Sequence, residues 1–306
     1  MGHRSVLAIT AAHLIACGSF ARPPGVERDA AIDIDGSTPP RCDPSKPLGM
    51  LAPLGNINDF AAGGMDARGA TLSPDELTVY FGRLTPSNGF DILVSRRDSL
   101  DGDFSSPIAI PLNTSGNDLG PSLSADGLTL YYASQVAPPN SDVSQSVRAS
   151  LDEEFSTGAV VENVNSSGDD GGGSPSFDGN TLYLITQSVG GYDIFRSIKN
   201  LGGSFDLAST VSELNSPNFE LKAVPTADDL GVFIGSSRSG SNGDSVDIWF
   251  ASRATTAQPF GPLENLSALN TNDEDVPLWV SADGCVLLLT RPNVGAREIW
   301  TASRPL

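Results

Sequence analysis

Ser124-Ala125-Asp126-Gly127-Leu128-Thr129-Leu130-Tyr131-Tyr132 is the stretch whose reading decides the fold. Asp-Gly flanked by apolar runs is a strong hairpin signal, and it predicts a tight type I′ turn with positive φ at both central residues. Leu128 to Tyr132 alternates as a strand with one buried face does. The same turn and strand return at Asp178-Gly179 before Thr181-Leu182-Tyr183-Leu184, and at Asp283-Gly284 before Val286-Leu287-Leu288-Leu289. Asp75-Glu76 and Asp228-Asp229 are weaker versions, so the anchors stand at 75, 126, 178, 228 and 283, at intervals of 51, 52, 50 and 55 residues. A second marker keeps step: an apolar residue then Asn, at Asn58, Asn113, Asn165, Asn215 and Asn270. In the last four copies it precedes the turn Asp by 13 residues. A period of about fifty residues means a repeat architecture in which each unit buries its faces only against its neighbours.

Each unit supplies four short strands. A first run such as Pro121 to Ser124 leads into the turn and the second strand. A third strand follows on an acidic-Ile-aromatic pattern, at Asp91-Ile92, Asp193-Ile194-Phe195, Asp247-Ile248-Trp249 and Glu298-Ile299-Trp300. In the second unit Gln145-Ser146-Val147 is expected to fill that place. The fourth strand is expected to open at Phe104, Phe155, Phe205 or Phe260 and to run toward the Asn marker. Four strands per unit with no helical period predict an all-β chain: a β-propeller of five four-stranded blades over residues 48–306. The pattern Leu-Ser-x-Asp-Gly-x-x-Leu-Tyr-Phe, carried best by Ser73 to Phe81, Ser124 to Tyr132 and Ser281 to Leu289, resembles TolB-type, WD-like propeller repeats. That resemblance implies the fold and is nearly silent about activity.

The last unit has three strands before Leu306, so the fourth must come from elsewhere. Leu48 to Gly55 precedes Asn58 as Phe104 to Pro111 precedes Asn113, and we expect it to pair beside Ile299-Trp300 and latch the ring, which removes an exposed edge. Cys42 lies just before this latch, and Cys285 begins the second strand of the blade that the latch completes. In an oxidising compartment the two form a disulfide; otherwise Cys285 is a buried thiol and Cys42 an exposed one. The front of the chain points to that compartment. Met1 to Ala16 reads as a signal peptide, with Arg4 followed by a mostly apolar run. It ends Leu14-Ile15-Ala16-Cys17, which resembles a bacterial lipobox and implies a lipid on Cys17. Residues 17–47, with Pro23-Pro24, Asp29, Asp33, Asp35 and Pro39-Pro40, read as a flexible tether.

Both histidines, His3 and His13, lie in the expected leader. The mature chain therefore lacks an imidazole for a Ser-His-Asp or Cys-His triad or for a zinc site. A formal charge of −19 argues against nucleic acid and gives no polybasic contact with anionic lipid. Five residues after the Asn marker stands a carboxylate in four units: Asp118, Asp170, Glu220 and Asp275, with Asp66 the nearest counterpart in the first. They are expected to ring one mouth of the channel, as a binding face or as turn chemistry, pairing with Arg97, Lys199, Arg253 and Arg304. The loops Gln135–Asn140, Ser188–Gly191, Ser239–Ser245 and Pro292–Ala296 emerge on the same face, where a rigid scaffold positions function. Gly168 to Gly173 and Asn272 to Asp275 cluster oxygens that suit Ca²⁺ but lack the spacing of known calcium loops, and no cofactor, metal or catalytic residue is expected. The expected function is a monomeric, lipid-anchored envelope module, non-enzymatic, binding a protein or glycan from the periplasmic or outer face. The alternative is a glycan-active enzyme working through carboxylates, as ring size resembles five-bladed glycosidases.

Overall fold

A computed structural model describes residues 41–60, 66–85, 89–135, 139–188, 191–293 and 296–306. Cys17, the expected leader and most of the expected tether lie outside the described residues. The fold is all-β, with five four-stranded antiparallel sheets and two short 3-10 turns. Strand β1, Met50–Pro53, stands apart from its neighbours in sequence. Blade one is β2 Ala67–Leu72, β3 Thr78–Leu84, β4 Phe90–Arg96 and β5 Ile108–Ala109. Blade two is β6 Asp118–Leu123, β7 Thr129–Ser134, β8 Asp142–Val147 and β9 Ala159–Val160. Blade three is β10 Asp170–Pro175, β11 Thr181–Ser188, β12 Gly191–Ile198 and β13 Ser209–Thr210. Blade four is β14 Glu220–Pro225, β15 Gly231–Ser236, β16 Asp247–Ser252 and β17 Glu264–Asn265. Blade five is β18 Val276–Val280, β19 Val286–Asn293 and β20 Ala296–Ser303, with β1 as its outer strand.

Blade faces pack on one another, so the apolar residues form five clusters, one at each blade interface. Tyr80, Ile92, Leu130 and Tyr132 join blades one and two, and Leu54, Phe81, Leu278 and Leu288 join five to one. The alternation of the second strands places one residue toward each neighbour, which is why both of their faces are apolar.

The hairpin turns depart from the expected two-residue form. Ser124 N–H bonds to the Thr129 carbonyl and Gly127 N–H to the Ser124 carbonyl, so four residues lie between the paired ends. Positive φ falls at one position only, Gly127, Gly179 and Gly284, with Glu76 and Asp229 in the same place. The sequence motif fixes the turn through side chains. The Ser124 hydroxyl donates to Asp126 and accepts from Thr129 N–H, while Asp126 accepts from Leu128 N–H. The unit repeats from Ser73, Ser176, Thr226 and Ser281.

The Asn marker has a structural meaning as well. Asn113 accepts from Ile92 N–H and donates to the Ile92 carbonyl, imitating one more residue of the short outer strand. Asn165 does this to Val143, Asn215 to Ile194, Asn270 to Ile248 and Asn58 to Ile299. The third strand of blade two thus begins at Asp142 and keeps the acidic-apolar pattern. Ser144 in place of an aromatic residue hid it, and Gln145 to Val147 is only its end. The outer strands of blades one to four are two residues long, and the phenylalanines that precede them are buried plugs. Arg97, Arg148, Lys199 and Arg253 lie over the Phe104, Phe155, Phe205 and Phe260 rings at 4.2–5.1 Å. Three of these arginines also donate to a turn carbonyl of their own blade, at Glu76, Gly127 and Asp229, and Arg304 does so at Gly284.

The latch pairs as expected, Met50 opposite Ser303 and Pro53 opposite Trp300. Cys42 and Cys285 form a disulfide across 243 residues, with Cα atoms 5.7 Å apart. Arg41 extends this seam by bridging Asp283 of blade five and Glu76 of blade one. Asp43 N–H bonds to the Pro305 carbonyl, and Arg304 donates to that of Lys46. Residues 41–47, whose composition suits a tether, are therefore fastened to the ring on its hairpin-turn side.

Candidate functional site

The recurrent carboxylates stand at the other end of the ring, where each chain passes from an outer strand down into the channel. Asp118, Asp170 and Glu220 begin β6, β10 and β14, and Asp275 immediately precedes β18. All four are buried, at most 1% exposed. Each closes the turn that delivers its strand. Thr114, Ser166 and Thr271 N–H donate to Asp118, Asp170 and Asp275 at 2.6 Å, and the hydroxyls of the same residues add a second bond. Ser216 Oγ donates to Glu220 at 2.7 Å. The neighbouring strand completes the set. Ser134 donates to Asp118, Ser236 and Arg238 to Glu220, and Arg291 to Asp275 at 2.8 Å. Burial pushes the Asp170 and Glu220 carboxyls above the usual range, against the pull of these donors.

The acids occupy the expected level of the fold, with their side chains turned into protein rather than toward solvent. Their expected partners Arg97, Lys199, Arg253 and Arg304 sit at the opposite end, on the hairpin turns and phenylalanines. Arg238 and Arg291 pair with Glu220 and Asp275 instead, each with its guanidinium 5.5 Å from a tryptophan ring, Trp249 or Trp300. Arg291 lies near the end of β19 and Arg238 just past the end of β15, at different distances from their turn aspartates, so sequence spacing does not single them out. Asp66 is placed differently from the other four. It is partly exposed and joins Arg68 at 3.2 Å and Arg297 at 3.0 Å, and Arg297 also holds Glu274 at 2.8 Å. This charged chain spans the junction of blades five and one at the mouth. In the two oxygen-rich segments, Asp169 accepts from Ser141 N–H, while Glu274 and Asp275 take arginines. Among the described residues no three His, Cys, Asp or Glu side chains gather as metal ligands. Parts of the mouth loops, 136–138, 189–190 and 294–295, lie outside the described residues.

One further group lies inside the channel. Lys222, third residue of β14, donates to Ser122 Oγ of blade two at 2.9 Å and to the Gly172 carbonyl of blade three at 3.2 Å. Its side chain therefore crosses from the fourth blade to the second. Burial lowers its pKa to about 7. The residues two places after the carboxylate are Gly120, Gly172 and Pro277 in blades two, three and five, and Arg68 follows Asp66 at the same distance, so the position keeps no common residue.

No family model matches the chain, and no curated protein matches it in sequence. Solved structures match its fold. A TolB candidate from Agrobacterium tumefaciens is 13% identical, with a TM-score of 0.52 over 83% of this chain and 89% of that one. The GH62 α-L-arabinofuranosidase catalytic domain of Coprinopsis cinerea is 12% identical, with a TM-score of 0.56 over 85% of this chain and 98% of that one. TolB from Acinetobacter baumannii is 16% identical with a TM-score of 0.48, and the match covers 78% of this chain and 54% of the length of that one. The fold is thus shared by TolB structures and by glycoside hydrolases, and by itself does not divide binding from catalysis.

Proposed function

We propose that the ring is a non-enzymatic binding and scaffold module of the bacterial cell envelope. In this reading a lipid on Cys17 anchors it, and its loop face meets an envelope protein or glycan. The observation that carries the reading is the state of the carboxylates. A glycosidase flanks the scissile bond with two carboxyl groups free to exchange protons with substrate or water. Here the four recurrent acids are buried in turn-closing bonds, and the mouth acids Asp66 and Glu274 are both held by Arg297. Lys222 lies across the channel below them.

Two measurements on the full chain test it. Aryl glycosides, arabinosides among them, should show no turnover above the blank. Turnover that disappears in Asp66→Asn or Glu274→Gln would overturn the reading in favour of an enzyme. Cys17→Ala should move the protein into the soluble fraction with its leader uncut; a variant that stays on the membrane and is cut at the same place removes the anchor.

A further inference from the structure

Lys222 is only 5% exposed, yet both acceptors that hold its ammonium are neutral. Around it, four basic groups of the mouth have carboxylates: Arg238 has Glu220, Arg291 has Asp275, and Arg68 and Arg297 have Asp66. No ion pair joins Lys222 to a carboxylate among the described residues. The inner-strand acids Asp118, Asp170, Glu220 and Asp275 are each turned to their own donors. An ammonium has three N–H groups and two are taken, so one donor and a whole positive charge are left over. A buried charge without a counter-charge is costly, and an anion placed against it relieves that cost.

Open space lies against the inner strand that supplies Ser122. Gly120 on the inner strand of blade two has φ of +65°, and a Cβ built there would meet no atom within 4 Å. Gly120, Gly172, Leu221 and Trp279 of the inner strands all keep some solvent exposure. Lys222 lies two residues in from Glu220, so the approach is from the loop face. With one cation and no second basic group on it, the position suits a monoanion and not a phosphate dianion.

We propose that Lys222 forms the floor of a carboxylate-binding site in the channel, its third N–H and its charge meeting one carboxylate that enters from the loop face. The proposal does not rest on the scaffold reading, since such a site would serve a binding module and an enzyme equally. The depressed basicity of the amine gives it a signature. Above neutrality the free amine is largely uncharged, so an arriving carboxylate must draw a proton onto it.

The test is calorimetric titration of the full chain with sodium acetate and with sodium glucuronate at millimolar concentrations. It is run at pH about 8 in two buffers of different ionisation heat. Binding should be accompanied by proton uptake, and Lys222→Met should weaken it by at least about thirtyfold. Binding of both acids identifies the free carboxylate as sufficient, and binding of glucuronate alone identifies an acidic sugar as the source. The proposal is overturned if neither acid binds, or if Lys222→Met binds as well as the parent. Should that variant fail to fold, binding to the parent without proton uptake overturns it just as firmly.

Discussion

At the scale of single residues, the repeat spreads one job over five positions and leaves its exceptions conspicuous. Lys222 is the clearest, because a lysine whose pKa falls from 10.5 to about 7 loses roughly 4–5 kcal/mol of stability when charged in the fold. The sign follows from proton counts. Between pH about 7 and 10.5 the unfolded chain binds more protons at this side chain than the folded one, so stability rises with pH through that window and the full cost is present below it. Lys222→Met removes the titration along with two hydrogen bonds, worth about 1 kcal/mol each. In carboxylate-free buffer at pH about 6 the variant should be more stable than the parent by about 2–3 kcal/mol, and by pH about 10 it should be less stable by about 1 kcal/mol, since the lost hydrogen bonds then outweigh what is left of the charging cost. Urea melts of both proteins across this range check it. A gap that does not change with pH would mean that the amine is solvated.

At the scale of the blade, stability comes from side chains that act as backbone. Asn165 holds both the N–H and the carbonyl of Val143, and its loss would leave that N–H unpaired while the carbonyl keeps its bond from Val161 N–H. Asn165→Ala should cost about 1–3 kcal/mol in chemical denaturation, and Asn165→Asp should not restore it, since a carboxylate oxygen would replace the donor that faces the Val143 and Val161 carbonyls. A loss near zero would mean that water replaces the amide. This is also the scale at which the sequence was most and least legible. The Ser-x-Asp turn and the Asn marker could be read because each meets a backbone requirement at a fixed phase, and a requirement that recurs leaves a recurring letter. What the Asn does could not be read, since its partner lies one strand away and some twenty residues back. The turn type was misread because Asp-Gly suits a two-residue turn equally well, and the serine that lengthens it is ordinary by itself. The acids at 118, 170, 220 and 275 were found at the right level, but spacing cannot tell whether a side chain at a channel mouth looks outward or back into its own turn. Lys222 is not legible in the sequence because its position keeps no common residue from blade to blade, and only its contacts set it apart.

At the scale of the whole molecule, four of the five blades are continuous in sequence and the fifth is assembled from both ends of the ring. The disulfide, the latch and Arg41 all act at that seam. Cross-linking across 243 residues gives about 5–6 kcal/mol in the chain-entropy model, and about 2–4 kcal/mol is usual in practice. Cys42→Ser, Cys285→Ser and the double variant should therefore lose equal stability under oxidising conditions. Reductant should bring the parent down to them and leave the double variant unchanged. Additive single losses would point to two independent thiols. The position of Cys42 has a mechanical consequence. Tension applied through the N-terminal segment reaches Cys42 before it reaches Met50, and passes through a covalent bond into the second strand of blade five. The latch strand then carries no load, however hard the segment is drawn. With the bond reduced, the same tension would act first on the Arg41 ion pairs and the Asp43 and Lys46 contacts, and would then peel the latch one hydrogen bond at a time. The ring would then yield as a zipper does, at low force, where the oxidised protein resists until a blade gives way.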